Sequence, residues 1–196
     1  MPNHARKYVA ILLLICLPLS IPAVSFAQKE EDPRLQGYLQ FEKNIFEIIA
    51  TSVQPLSTFN EEINEEELYT MITSAKNKFI EGSEQLAELN IPSTLPDDIK
   101  LSLNNVKKEL SIGFKILNES LFYFSEYIRT RDPNLHRKYI TKRNQGFLYI
   151  DGGLTSLATV RLRLNAPKKA IPNTWQVGKG YFYRLEKVIP IKSKIK

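Results

Sequence analysis

From Leu68 to Leu89 the apolar and small residues fall at Leu68, Ile72, Ala75, Phe79, Gly82, Leu86 and Leu89, alternating steps of four and three. That rhythm keeps one face of an α-helix toward a core. Asn64 with Glu67 three residues later reads as an N-cap with its reciprocal partner, and Pro92 after Asn90 marks the stop. A longer run carries the same rhythm through Ile99, Leu103, Val106, Leu110, Gly113, Leu117, Ser120, Phe124 and Tyr127, widened by Phe114, Leu121 and Ile128. Thr94 as a hydroxyl cap, Pro96 in the first turn and the carboxylates Asp97 and Asp98 suit its positive end.

Asp132 followed by Pro133 predicts a further helix start. Its seam runs Tyr139, Arg143, Gly146, Ile150, Gly153, Leu157, Val160 and Leu164. An earlier helix, from about Pro33 to Phe59, is predicted by Leu35, Leu39, Phe46, Ile49, Val53 and Leu56, with Pro55 kinking or ending it. Short connections between these four segments predict an all-α fold, an antiparallel up-and-down four-helix bundle over residues 28–164. Glycines at 82, 113, 146 and 153 lie on the seams although each costs about 1 kcal/mol against alanine, so close helix approach is expected there.

Before the bundle, Arg6 and Lys7 precede the apolar run Val9 to Leu19, and the small-x-small triplet Ser25, Phe26, Ala27 precedes Gln28. This is the layout of an export signal over residues 1–27, cleaved after Ala27. The run is shorter than the roughly 20 residues a membrane span needs, and Leu14 and Ile15 before Cys16 do not fit a lipoprotein signal. Export places the rest of the chain outside the cytoplasm. The chain's one cysteine, Cys16, lies in the signal, so residues 28–196 have no disulfide or thiolate chemistry.

Charge changes along the chain. Residues 28–98 carry 5 basic and 15 acidic side chains, residues 99–164 carry 12 and 5, and residues 165–196 carry 8 and 1. The last segment also loses the helical rhythm: Trp175 and Val177, then Gly178-Lys179-Gly180, then Tyr181 and Tyr183 suggest a short β-hairpin or an irregular tail. Its cations Lys168, Lys169, Lys179, Arg184, Lys187, Lys192, Lys194 and Lys196 alternate with Trp175, Tyr181 and Tyr183, a composition suited to an anionic envelope polymer or lipid headgroups. A protein partner fits the same surface, and export argues against nucleic acid.

No catalytic constellation or metal-ligand spacing stands out, and no cofactor is implied. The five glutamates Glu61, Glu62, Glu65, Glu66 and Glu67 surround a helix start, and His136 is expected to be an exposed histidine beside Arg137 and Lys138. Arg143 is different: its seam position buries a guanidinium, which needs a partner. Asp151, Glu119, Glu126, Tyr123 and Tyr127 are the candidates. The leading expectation is therefore a non-enzymatic exported binding protein, and the alternative is a small-molecule binder or enzyme using a polar site of Arg143, Asp151, Tyr123 and Tyr127.

Overall fold

A computed structural model describes residues 32–59, 62–167 and 172–188. The signal expected over residues 1–27, and the cations Lys168, Lys169, Lys192, Lys194 and Lys196, lie outside the described residues. The described residues are all-α, with five helices and no strand: α1 (Pro33–Val53), α2 (Glu65–Glu88), α3 (Asp97–Thr130), α4 (Pro133–Arg163) and α5 (Thr174–Val188). A 3-10 turn, Gln54–Thr58, extends α1.

The helix ends follow their local chemistry. Asp32 accepts from the Arg34 amide at 2.9 Å with Pro33 behind it. Asn64 and Glu67 form the reciprocal box, at 2.9 and 3.4 Å. Asp132 accepts from the Asn134 amide at 2.9 Å, again with proline next. Pro55 stops the α-helical ladder at Val53 and leaves the tighter turn, because it has no N–H to donate. The expected hydroxyl cap of α3 is not used: Pro96 occupies the N-cap position, with no side-chain hydrogen bond, and Asp97 and Asp98 supply the complementary charge. At the end of α2, which has no basic residue in its last turn, Lys107 of α3 donates to the carbonyls of Ala87 and Leu89 at 3.0 and 2.6 Å.

Every seam position expected on α3 is buried, as are those of α2 up to Leu86 and of α4 up to Val160. On α1 the buried line is Tyr38, Phe41, Ile45 and Ile49, so Leu35, Leu39 and Phe46 stand half-buried on the neighbouring face. Burial of Tyr38 holds because its hydroxyl donates to Glu42 at 2.8 Å and lies 3.1 Å from the Leu157 carbonyl.

The most extensive packing is between α3 and α4, followed by α2 against α3 and α1 against α2. Residue pairs run in opposite order on facing helices: Asp98 with Arg163 and Glu119 with Lys142 across α3 and α4, Glu65 with Arg131 and Ser83 with Ser111 across α2 and α3. Both pairs are therefore antiparallel. Glycine sets the α3–α4 distance, since a Cβ on Gly113 would lie 2.6 Å from Ile150 Cγ1 and 3.2 Å from the Gly146 carbonyl oxygen. A Cβ on Gly146 would lie 2.7 Å from Leu117 Cδ2 and 3.2 Å from the Gly113 carbonyl oxygen.

The C-terminal segment departs from the expected hairpin or irregular tail. It forms α5, whose backbone lies against α1 and the 3-10 turn, and which buries Trp175, Phe182 and Leu185 in the common core. Phe182 meets Phe79 of α2 and Phe147 of α4 at ring distances of 5.9 and 5.5 Å. Gly178, read from sequence as part of a turn, is a contact point: its Cβ would lie 2.9 Å from Val53 Cγ1.

These contacts set opposite signs for glycine replacements. Overpacking costs about 1–3 kcal/mol, so Gly113→Ala and Gly146→Ala should lower the urea midpoint despite alanine's helix preference. A Cβ on Gly180 meets nothing within 4 Å, and Gly180→Ala should raise stability by about 0.5–1 kcal/mol. Equal shifts at the three positions would contradict the packing.

Candidate functional site

The site begins with Arg143. Helix α4 places it on the buried seam one turn after Tyr139, and it is 4% exposed. Its guanidinium pairs with Glu186 of α5 and donates to Asn144 Oδ1 from Nε at 3.1 Å and Nη2 at 2.9 Å. Three rings surround it: its Cζ lies 4.7 Å from the Tyr183 centroid and 5.6 Å from those of Tyr139 and Phe147. Tyr139 is fully buried and donates to the Phe182 carbonyl at 2.9 Å. Burial holds its phenol well above the ordinary tyrosine range, with the nearby Arg143 opposing that shift.

Two turns further along α4, Asp151 faces α5 as well. It accepts from Trp175 Nε1 at 2.7 Å and pairs with Lys179 through both oxygens at 3.1 Å. Arg143 and Asp151 thus each take a partner from α5, and neither serves the other. The remaining sequence candidates are engaged elsewhere: Glu119 with Lys142, Glu126 with Arg129, and Tyr123 beneath Lys138 at 5.5 Å. Tyr127 packs against His136 with ring centroids 4.8 Å apart and planes tilted by 47°. The four residues Arg143, Asp151, Tyr123 and Tyr127 do not form one polar site.

The surface residues expected in the tail divide in the same way. Trp175 is 2% exposed, so its ring is spent on Phe147 at 5.4 Å and on Asp151, and it is not available for anchoring. Lys179 is held by Asp151. Tyr181 is half-buried under Arg184, whose Cζ lies 4.8 Å from its ring. Tyr183, Arg184 and Lys187 remain exposed.

Three features were missed at the level of sequence. Glu186 is the only acid of residues 165–196, which was the available signal for the partner of a buried arginine. A second buried pair, Glu42 with Arg161 at 3.3 Å, joins α1 to α4, and Arg161 also donates to the Pro167 carbonyl at 2.5 Å. His136 is buried, not exposed, because the first turn of α4 turns it onto Tyr127; its Nε2 has no hydrogen-bond partner among the described residues. Burial, reinforced by Arg143, pushes its pKa down from the ordinary value of 6.5.

Beside Asp151 a groove of about 590 Å³ opens between α1 and α4, lined by Glu42, Phe46, Leu154, Leu157, Trp175 and Lys179 among others. Its two carboxylates already have cationic partners. Among the described residues there is no group of three or more histidine, cysteine or acidic side chains placed to hold a metal, and no helix long and apolar enough to cross a membrane. No protein-family model, curated protein or solved structure matches the chain.

Two outcomes follow from this geometry. Removing the carboxylate leaves a buried guanidinium uncompensated, so Glu186→Ala should cost about 2–4 kcal/mol. The double replacement Arg143→Met with Glu186→Met should recover most of that loss in urea unfolding, and no recovery would mean the two side chains are not coupled. For His136 the folded pKa lies below the unfolded one, so the unfolded chain binds the proton first. Its contribution is fully present above about pH 6.5 and is lost as pH falls below it. His136→Phe should flatten the pH dependence of stability between about pH 7 and 5.

Proposed function

We propose that this is an exported, non-enzymatic helical protein of the cell envelope, which binds an anionic surface or a protein partner through the outward face of α5 and the basic residues beyond it. In this reading α1 to α4 form an up-and-down four-helix bundle, and α5 braces its α1–α4 side. The signal over residues 1–27 sets the compartment.

One observation carries the proposal. The acid of the C-terminal segment, Glu186, is taken by Arg143, and Trp175 and Lys179 are taken by Asp151. What faces outward is then Tyr183, Arg184 and Lys187, cationic and aromatic with no acid of their own segment to offset them. Lys168, Lys169, Lys192, Lys194 and Lys196 add to that charge in sequence. The small-molecule or enzyme alternative loses ground, because Glu186, Asn144 and three rings occupy the hydrogen bonds and space around Arg143 that a bound anion would need.

Co-sedimentation with phosphatidylglycerol vesicles and with isolated cell wall tests the reading. A cation near an anionic membrane contributes about 1 kcal/mol, so Arg184→Gln with Lys187→Gln should weaken partitioning roughly 30-fold with helicity unchanged. Raising salt from about 0.02 to about 0.5 M should weaken it as well. Binding equal to that on phosphatidylcholine, or unaffected by the double replacement, would rule out the α5 face.

A further inference from the structure

Helix α5 follows the end of α1 in a fixed direction. A Cβ on Gly178 would lie 2.9 Å from Val53 Cγ1. Six positions later on both stretches, the Arg184 guanidinium stands over the Phe59 ring, with Cζ 5.9 Å from its centroid. Continued past Val188, where α5 ends, that course leads to the start of α2. A groove of about 610 Å³ opens there between the 3-10 turn and α2, lined by Thr58, Ile63, Glu66, Glu67, Thr70 and Met71 among others. Its floor is apolar, with Ile63 half-buried and Met71 6% exposed, and the glutamates make its rim acidic. Glu67 accepts the Asn64 amide at 3.4 Å, and among the described residues neither Glu66 nor Glu67 has a cation at ion-pair distance. Glu65 and Glu126, at the same end of the helices, already hold Arg131 and Arg129.

We propose that residues 189–196 of the same chain dock in this groove. They lie outside the described residues, and their sequence alternates with a period of two. Ile189, Ile191, Ser193 and Ile195 fall on one side of an extended segment, and Lys192, Lys194 and Lys196 on the other. Pro190 favours that extended form, because it disfavours a helical Ile189. Eight residues reach up to about 26 Å, and the groove follows roughly 10 Å of α2, from Asn64 to Met71. The glutamates by themselves suit the helix end on which they sit. What selects this occupant is the direction of α5, the reach of the segment beyond it, and the match of apolar and cationic sides to an apolar floor and an acidic rim. In the free protein the lysines assigned above to an anionic surface are then held against Glu66 and Glu67 until a surface displaces them. That consequence rests on the surface-binding reading; the docking does not.

The only methionines are Met1 and Met71, so nuclear magnetic resonance of the full chain, labelled at its methionine methyls, reads the groove through a single resonance. Ile191→Asp with Ile195→Asp should shift the Met71 methyl, with circular dichroism unchanged. Lys192→Gln, Lys194→Gln and Lys196→Gln together should move it in the same direction. With Glu66→Gln and Glu67→Gln also present, where glutamine keeps the Asn64 cap, both sets of tail replacements should lose most of their effect. A Met71 resonance indifferent to both sets would overturn the proposal. So would a response undiminished by the glutamine pair, which would place the tail elsewhere, or one that vanishes on dilution from about 200 to about 5 μM, which would assign the groove to the tail of another chain. No surface is present in any of these measurements, so failure of the surface-binding reading leaves their outcome unchanged.

Discussion

A guanidinium buried on the seam of α4 sets a condition that the rest of the fold has to meet. Removing an unpaired charge from water costs several kcal/mol, and neither α3 nor α4 supplies the acid: Glu119 and Glu126 sit with surface cations, and Asp151 is two turns away. Glu186 of α5 supplies it. The same docking settles direction and register. Along α4 the charges run Arg143 then Asp151; along α5 they run Lys179 then Glu186. Antiparallel packing matches opposite signs at both points, whereas reversing α5 would set Lys179 against Arg143 and Glu186 against Asp151. With Tyr139, one turn before Arg143, also donating to the Phe182 carbonyl, the helix has one satisfactory position.

That arrangement also sorts the surface. In a segment with eight cations and one acid, the acid is half-buried against Arg143, and the tryptophan and one lysine are held by Asp151. The exposed charges of α5 among the described residues, Arg184 and Lys187, are both cationic. Folding and the proposed recognition are therefore linked: the pair that holds α5 down is also what strips its outward face of a counter-charge.

Much of this was legible before any coordinates, because the seams of α2, α3 and α4 repeat without a miss and the capping signals of α2 and α4 lie at the observed starts, whereas the hydroxyl cap expected for α3 gives way to Pro96. The first helix was harder. Its true line runs through Tyr38, which buries only because Glu42 and the Leu157 carbonyl, 119 residues away, accept or approach its hydroxyl. The tail was misread for a related reason. Trp175, Gly178, Phe182 and Leu185 keep a three-four-three spacing, but two glycines around Lys179 look like a turn until Val53 is seen to require the first of them. His136 gave no local sign of burial, since what covers it is the far end of α3. The site residues failed together: pairing Arg143 with Asp151 assumed a partner on the same helix, and both reach instead to one that the hydrophobic pattern had not revealed.

Helix α4 shows how such enclosure changes a sequence. It meets α3 along its length, α5 through Arg143, Phe147 and Asp151, and α1 through Leu157 and Arg161. A helix held on three sides exposes only a narrow strip, and a narrow strip lowers the overall contrast between its faces. Narrowness does not explain why that strip lacks charge. The outward positions of α2 and α3, equally solvated, carry glutamate and lysine. Leu148 and Leu162 stand 73% exposed within it, on the side of α4 that no other helix of the described residues covers.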